Sequence, residues 1–394
     1  MNFESIKLSE LTVDGRGRYG IAASAVEKSD DLYTYLRITD IYEDGTLNKA
    51  GLKSVDDPDA EKYLLKPNDI VFARTGNSTG KNYFYDERDG NFVYAGFLIK
   101  FSLDPKKVNP RFVKYYCQSQ RYKNWVDSFN TGSTRGNINA QTYGDMEILT
   151  PSRAQQDFLV EILSALDDKI ELNRRINANL EQQAAAIFDE RFPGATKEIP
   201  VGWRRGCLLD VADYLNGLAM QRFRPAEGEN GLPVLKIKEL RQGTCDANSE
   251  LCSSNIKPEY VIHDGDVIFS WSGTLLVDIW CGGDCGLNQH LFKVTSEKYD
   301  KWFYYLWTLR HLERFIAIAA DKATTMGHIK RSELAKAEVL IPPPAEYLEI
   351  GAAIRPLYEL LVARRVENRK LAELRDTLLP RLMSGEIDVS DVLL

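Results

Sequence analysis

Arg74, Ser78, Thr79 and Lys81 crowd into RTGNSTGK, and Ser133, Thr134, Arg135 and Asn137 into GSTRGNIN, two glycine-bearing stretches of a 394-residue chain. Cationic, hydroxyl and amide side chains among glycines are the types that meet phosphate oxygens and base edges. The mixture returns later with other members. Ser272 and Thr274 stand in WSGTLLVD, and Thr324, Thr325, His328 and Lys330 in ATTMGHIK. Arg37 and Lys236 add a basic residue to each of two further matching stretches, YLRITDI and VLKIKEL. The chemistry these residues offer is binding.

Catalytic constellations are missing from the sequence. It holds no P-loop, no G-x-G-x-x-G after a strand and no G-x-S-x-G elbow, and only 4 histidines to serve as bases. NPRF (109–112) resembles half of an adenine methyltransferase signature but lacks its second proline, and Asn109-Pro110 reads better as the cap and first residue of a helix. Cys281, Cys285, His290 and His263 match no zinc-ligand spacing, so no metal is expected. The 6 scattered cysteines suggest reduced thiols. The opening MNFESIKLSE lacks a signal peptide and no long apolar run follows, which predicts a cytoplasmic protein without a membrane span.

Charge narrows the partners. The net −7 argues against a chain that grips nucleic acid alone. Residues 1–150 hold 20 basic and 21 acidic side chains and 196–341 hold 18 and 19, so most of the excess lies elsewhere. Near-neutral domains can still present basic loops, and a positively charged partner would complete the surface.

The loops are positioned by elements that occur twice. NDIVFARTG (68–76) aligns with GDVIFSWSG (265–273), each a strand running into a loop, and YLRITDI (35–41) with VLKIKEL (234–240), both alternating as half-buried strands do. STRGNIN (133–139) aligns with TTMGHIK (324–330), and an aromatic helix precedes each. The repeat continues into a rod. Leu163, Leu166, Ile170, Asn173, Asn177 and Leu180 follow the alternating four-and-three spacing of a coiled-coil seam. Adding 191 gives a second seam that includes Ile354, Leu357, Leu361, Asn368 and Leu371. Thr150 and Pro151 are expected to start the first rod and Pro193-Gly194 to stop it, and Pro380 to kink or end the second near Leu379. A rod with so narrow an apolar stripe needs a partner helix, and polar seam residues fix its register. The expected fold class is α+β: an internal tandem repeat with domains over 1–150 and 194–341 and long helices over 151–193 and 342–394.

The rod PSRAQQDFLVEILSALDDKIELNRRINANLEQQAAAIFDERF, the following IPVGWRRGCLLDVADYLNG and the ending NRKLAELRDTLLPRLMSGEI resemble the specificity subunit of type I restriction-modification systems. With the strand pairs, the likeness covers essentially the whole chain. It implies two mixed α/β target recognition domains separated by two long antiparallel helices with pseudo-twofold symmetry. Each domain would read half of a bipartite double-stranded DNA site, and the helices would set the unread gap. The resemblance implies two modification (methyltransferase) subunits as partners, and restriction subunits that translocate DNA. S-adenosylmethionine, ATP and Mg would belong to those partners, with no cofactor and no catalysis in this chain. A coiled-coil scaffold with two protein-binding heads is the alternative.

Overall fold

The structure is a computed structural model describing residues 2–129, 136–192, 199–321 and 328–389. The chain divides into two compact units: Met1–Asp167 with Glu373–Leu394, and Asp168–Ala372.

In the first unit the edge strand Glu4–Lys7 pairs antiparallel with Glu147–Thr150. An antiparallel sheet runs in the order Arg18–Tyr19, Leu98–Ser102, Asp69–Ala73, Asn82–Phe84. A second sheet orders Ala25–Val26, Lys53–Val55, Tyr33–Leu36 and Phe92–Tyr94, its last pair parallel. Asp69–Ala73 is buried along its whole length, and Phe72 stacks on Tyr143 with ring centroids 4.7 Å apart. Leu159, Val160 and Leu163 share this core with Leu379, Leu382 and Met383. Asp167 accepts from Lys114 Nζ at 2.9 Å, the Tyr115 hydroxyl at 2.9 Å and Arg375 Nη1 at 3.1 Å.

The second unit repeats the plan. Arg204–Cys207 pairs with Glu338–Ile341, and an antiparallel sheet orders Asp213–Asn216, Leu291–Thr295, Val267–Ser270 and Leu276–Ile279. The other sheet again contains one parallel pair, Leu232–Leu235 with Cys285–Leu287. Leu180, Ala184, Phe188, Ile350, Ile354 and Leu361 enter a core rich in tryptophan. Here the long helices run antiparallel: Asn173 donates to Asn368 Oδ1 at 2.9 Å, and Arg191 meets Glu349 at 3.2 Å. Arg364 Nη1 donates to Asn173 Oδ1 at 2.7 Å, joining residues 191 apart in sequence at equivalent repeat positions. Arg365 bridges Glu181 and Asp278, each at 2.7 Å, and Arg369 reaches Asp264 at 2.6 Å.

Leu163, Ile170, Asn173, Asn177 and Leu180 are buried and Leu166 half-buried; in the second helix Ile354 and Leu361 are buried, Leu357, Asn368 and Leu371 half-buried. Several sequence expectations change. The first long helix is Arg153–Arg191, and its cap falls on Ser152, whose hydroxyl accepts from Gln155 N while Gln155 Oε1 accepts from Ser152 N. Thr150 is instead a strand residue whose hydroxyl donates to Glu4 O. The second helix, Pro344–Ser384, runs past Pro380 rather than ending near Leu379. Burial of Leu379, Leu382 and Met383 offsets the hydrogen bond a proline removes. YLRITDI and VLKIKEL stay extended only to Leu36 and Leu235, then turn into short helices at Ile38–Asp40 and Ile237–Gln242. Each aromatic helix is two, Pro110–Tyr116 with Gln120–Asp127 and Lys301–Arg310 with Leu312–Asp321. Asn109 Oδ1 accepts from Arg111 N and Pro110 opens the helix, as the sequence indicates. Pro193 and Gly194 lie outside the described residues.

Candidate nucleic-acid interface

In the first unit the Asp69–Ala73 strand delivers Arg74 into a fixed backbone frame. Arg74 N donates to Phe97 O at 3.1 Å, and Arg74 O accepts from Ile138 N at 2.9 Å. The Thr79 hydroxyl lies 2.9 Å from both Gly76 O and Gly136 O, tying the two loops that the sequence singles out. Gly76 and Gly80 make the turn at φ +71° and +88°, and a Cβ on Gly80 would stand 2.4 Å from Val126 Cγ1. Tyr143 donates to Ala73 O at 2.8 Å and Tyr122 to Gly80 O at 2.5 Å. Burial pushes both phenols well above their ordinary range, so they act as neutral donors.

The second unit builds the same frame. Trp271 N donates to His290 O at 3.4 Å and Trp271 O accepts from Ile329 N at 2.9 Å. Register makes the equivalence explicit: Tyr19 faces Ile99, which faces Phe72, and Asn216 faces Phe292, which faces Phe269. Position 74 therefore corresponds to 271, 19 to 216 and 97 to 290. Next to positions 19 and 216, Gly20 and Gly217 press on backbone, where a Cβ would come within 2.2 Å of Tyr94 O and Asn288 O.

Side chains on this common frame differ. The Arg74 guanidinium lies over the Tyr19 ring, 5.2 Å from its centroid, and the Tyr19 hydroxyl accepts from Ala140 N at 3.1 Å. Trp271 instead donates its indole N–H to Asn216 Oδ1 at 3.0 Å, with the His290 and Phe292 rings beside it. Tyr19 and Phe97 are 42% and 57% exposed, an exposed aromatic rim.

The remaining sequence candidates divide by surroundings. Asn137, Thr274, His328 and Lys330 are exposed. His328 pairs across to Ser272, whose hydroxyl lies 2.9 Å from His290 Nδ1. Ser78 is buried, and Lys81 meets Glu43 at 3.3 Å. Arg37 is occupied by its own turn: Nε and Nη2 hold the buried Asp40, and Nη2 also reaches Gly51 O at 2.8 Å. Its counterpart Lys236 pairs with Glu250 at 2.6 Å. Ser133, Thr134, Arg135, Thr324 and Thr325 lie outside the described residues. His263 meets Asp284, while Cys281 and Cys285 are buried. Among the described residues no three His, Cys, Asp or Glu side chains converge on a metal position.

Sequence reading missed Tyr19, Phe97, Asn216, Trp271 and His290. The signal was present in the glycines that follow Tyr19 and Asn216, which keep the repeat spacing of the Arg74 and Trp271 strands.

The family model for the type I restriction modification DNA specificity domain matches residues 2–182 and again 200–374. The chain is 26% identical over 309 residues to the MjaIX specificity subunit of a type I restriction enzyme from Methanocaldococcus jannaschii, covering 72% of this chain and 71% of that one. It is 20% identical over 409 residues to the HindI specificity subunit from Haemophilus influenzae, covering 84% and 89%. A crystal structure of a type I restriction-modification S subunit from M. genitalium shares the fold with a TM-score of 0.58, at 14% identity over 97% of this chain and 96% of that one.

Proposed function

The chain belongs to the type I restriction modification DNA specificity family, and from that premise we propose that each unit reads one half of a bipartite site on double-stranded DNA. It is the non-catalytic recognition subunit. One observation carries this reading: the two family domains hold the same backbone frame around positions 74 and 271 and equip it with different side chains. A scaffold repeated with its rim exchanged suits two unlike half-sites. Exposed Asn137, Thr274, His328 and Lys330 supply phosphate and base-edge contacts, and Arg135, which lies outside the described residues, adds to them by its chemistry.

The long helices set the unread gap. Asn173 uses both ends of its amide, accepting from Arg364 and donating to Asn368 and Glu367, which favours one helix register over its neighbours. The outer helix faces dock two modification subunits, and restriction subunits join that assembly. S-adenosylmethionine, ATP and Mg are held by those partners, and the complex works in the cytoplasm. No helix among the described residues is long and apolar enough to cross a membrane.

The test is a genome-wide adenine-methylation map of the host with and without this gene, the modification subunit being present in both. Loss of one split motif on deletion is the expected result. An unchanged map removes the DNA-reading role.

A further inference from the structure

We propose that Arg74, braced on Tyr19, reads a guanine in the half-site of the first unit, and that Trp271 at the equivalent position excludes that readout from the second. This rests on the DNA-reading role above and adds the residue and the base.

Four observations converge on position 74. Its backbone is fixed on both sides, by Phe97 O and by Ile138 N, so the side chain leaves from a rigid point. The guanidinium is held over the Tyr19 ring, itself anchored through its hydroxyl. Stacking orders a long side chain before it meets a ligand, which lowers the entropy lost on binding. Among the described residues no acceptor takes a hydrogen bond from the Arg74 side chain, and its shielded Nε is left without a partner. Arginines that brace the two units are committed instead: Arg37 to Asp40, Arg365 to Asp278 and Glu181, Arg369 to Asp264. The last observation is the exchange itself. Trp271 carries no charge and its one N–H is taken by Asn216.

A planar fork of donors fits two acceptors side by side. Guanine offers that pair at O6 and N7 in the major groove, and a phosphate offers it on the backbone. The two differ in consequence: a base contact specifies one position, whereas a phosphate contact weakens every sequence alike. The exposed aromatic rim of Tyr19 and Phe97 favours the base, because apolar faces pack against base edges and methyl groups rather than the charged backbone.

The experiment is methylation mapping of host DNA with the full chain and its modification subunit, comparing wild type, Arg74→Ala, Arg74→Gln and Trp271→Phe. Arg74→Ala is expected to relax one guanine in one half-site and to lower methylation of the original motif by roughly tenfold or more, the scale of a lost bidentate contact. The other half-site stays unchanged, which also reports that the chain is folded. Trp271→Phe leaves that guanine untouched. If Arg74→Ala loses both halves, Arg74→Gln decides, since glutamine suits adenine. A motif altered at that one base supports the proposal, and a wild-type motif overturns it. Uniform weakening with no relaxed base also overturns it, as does a half-site without guanine. If the wild-type chain confers no motif, the DNA-reading role falls with it; a wild-type motif that ignores Arg74 sinks this inference alone.

Discussion

Below its outer loops each unit carries one lysine–aspartate pair at the same place, Lys100 with Asp69 at 3.0 Å and Lys293 with Asp266 at 2.8 Å. Asp69 and Asp266 also accept from the backbone three residues upstream, at Lys66 N and His263 N. A few residues further along the same strands, Arg74 and Trp271 share a backbone frame and no chemistry. A third pair of positions is exchanged where the long helices meet the domains. The Lys114–Asp167 ion pair of the first unit, 2.9 Å long, corresponds to Tyr305 edge-on to Tyr358 in the second, ring centroids 5.4 Å apart. Largely shielded ion pairs that shape the strands are kept, while contacts at the rim and at the helix are free to change kind. Geometry and readout are therefore carried by different residues.

The strongest way to break that comparison is to remove the shared floor. Asp69→Ala leaves Lys100, whose side chain is only 13% exposed, without its partner and is expected to cost about 3 kcal/mol. Asp266→Ala is expected to cost less, because Asp69 is 2% exposed and Asp266 17%. Calorimetric unfolding of the full chain measures both, and equal losses would deny that burial sets the scale. Next come the glycines. Ala at Gly20 or Gly217 drives a Cβ onto backbone carbonyls and is expected to cost about 2 kcal/mol at either site. Denaturant titration checks this, and tolerance at one position alone would show that the two frames are not equivalent.

The smallest effect sharpens the exchanged pair. Burial pushes the Asp167 carboxyl up, but Lys114 and Arg375 outweigh it, and the net folded-state value lies below the ordinary one. Stabilisation from this carboxylate is thus complete above about pH 4, the unfolded value, and is lost as pH falls through the lower folded value. Asp167→Asn is expected to cost about 1–2 kcal/mol at neutral pH and nothing in acid. Melting curves of wild type and variant should therefore lie apart at pH 7 and draw together only as the pH falls below about 4. Replacing Tyr358 with Phe, which keeps the ring, should give a pH-independent offset; convergence there as well would remove the distinction between the two helix contacts.

Much of this was legible in sequence because the repeat compares the chain with itself. Positions that return with hydrophobic period, such as Leu163 and Ile354, mark buried seams, and Asn173 stands out by interrupting one. The reading positions were harder. Tyr19 lies in a two-residue strand with no periodicity of its own, and it meets Arg74 only through the register of an intervening strand. Helix ends also misled. Thr150-Pro151 has the local chemistry of a start, but pairing with Glu4 holds Thr150 extended and moves the cap to Ser152. Pro380 has the chemistry of a stop, and apolar side chains on either side of it keep the helix going. Tertiary contacts decided each of these, and no local window contains them.

Leu379, Leu382, Met383 and Val389 close the core around Leu159 and Leu163, so the first unit is assembled from the two ends of the chain, whereas Asp168–Ala372 is contiguous. On the ribosome this inverts the order of completion. The second unit has all its residues while the first still shows an open apolar face, waiting for the last turns of a helix not yet made. A nascent chain stalled in that interval presents Leu159 and Leu163 to chaperones, and premature termination there leaves one finished domain beside one that cannot close.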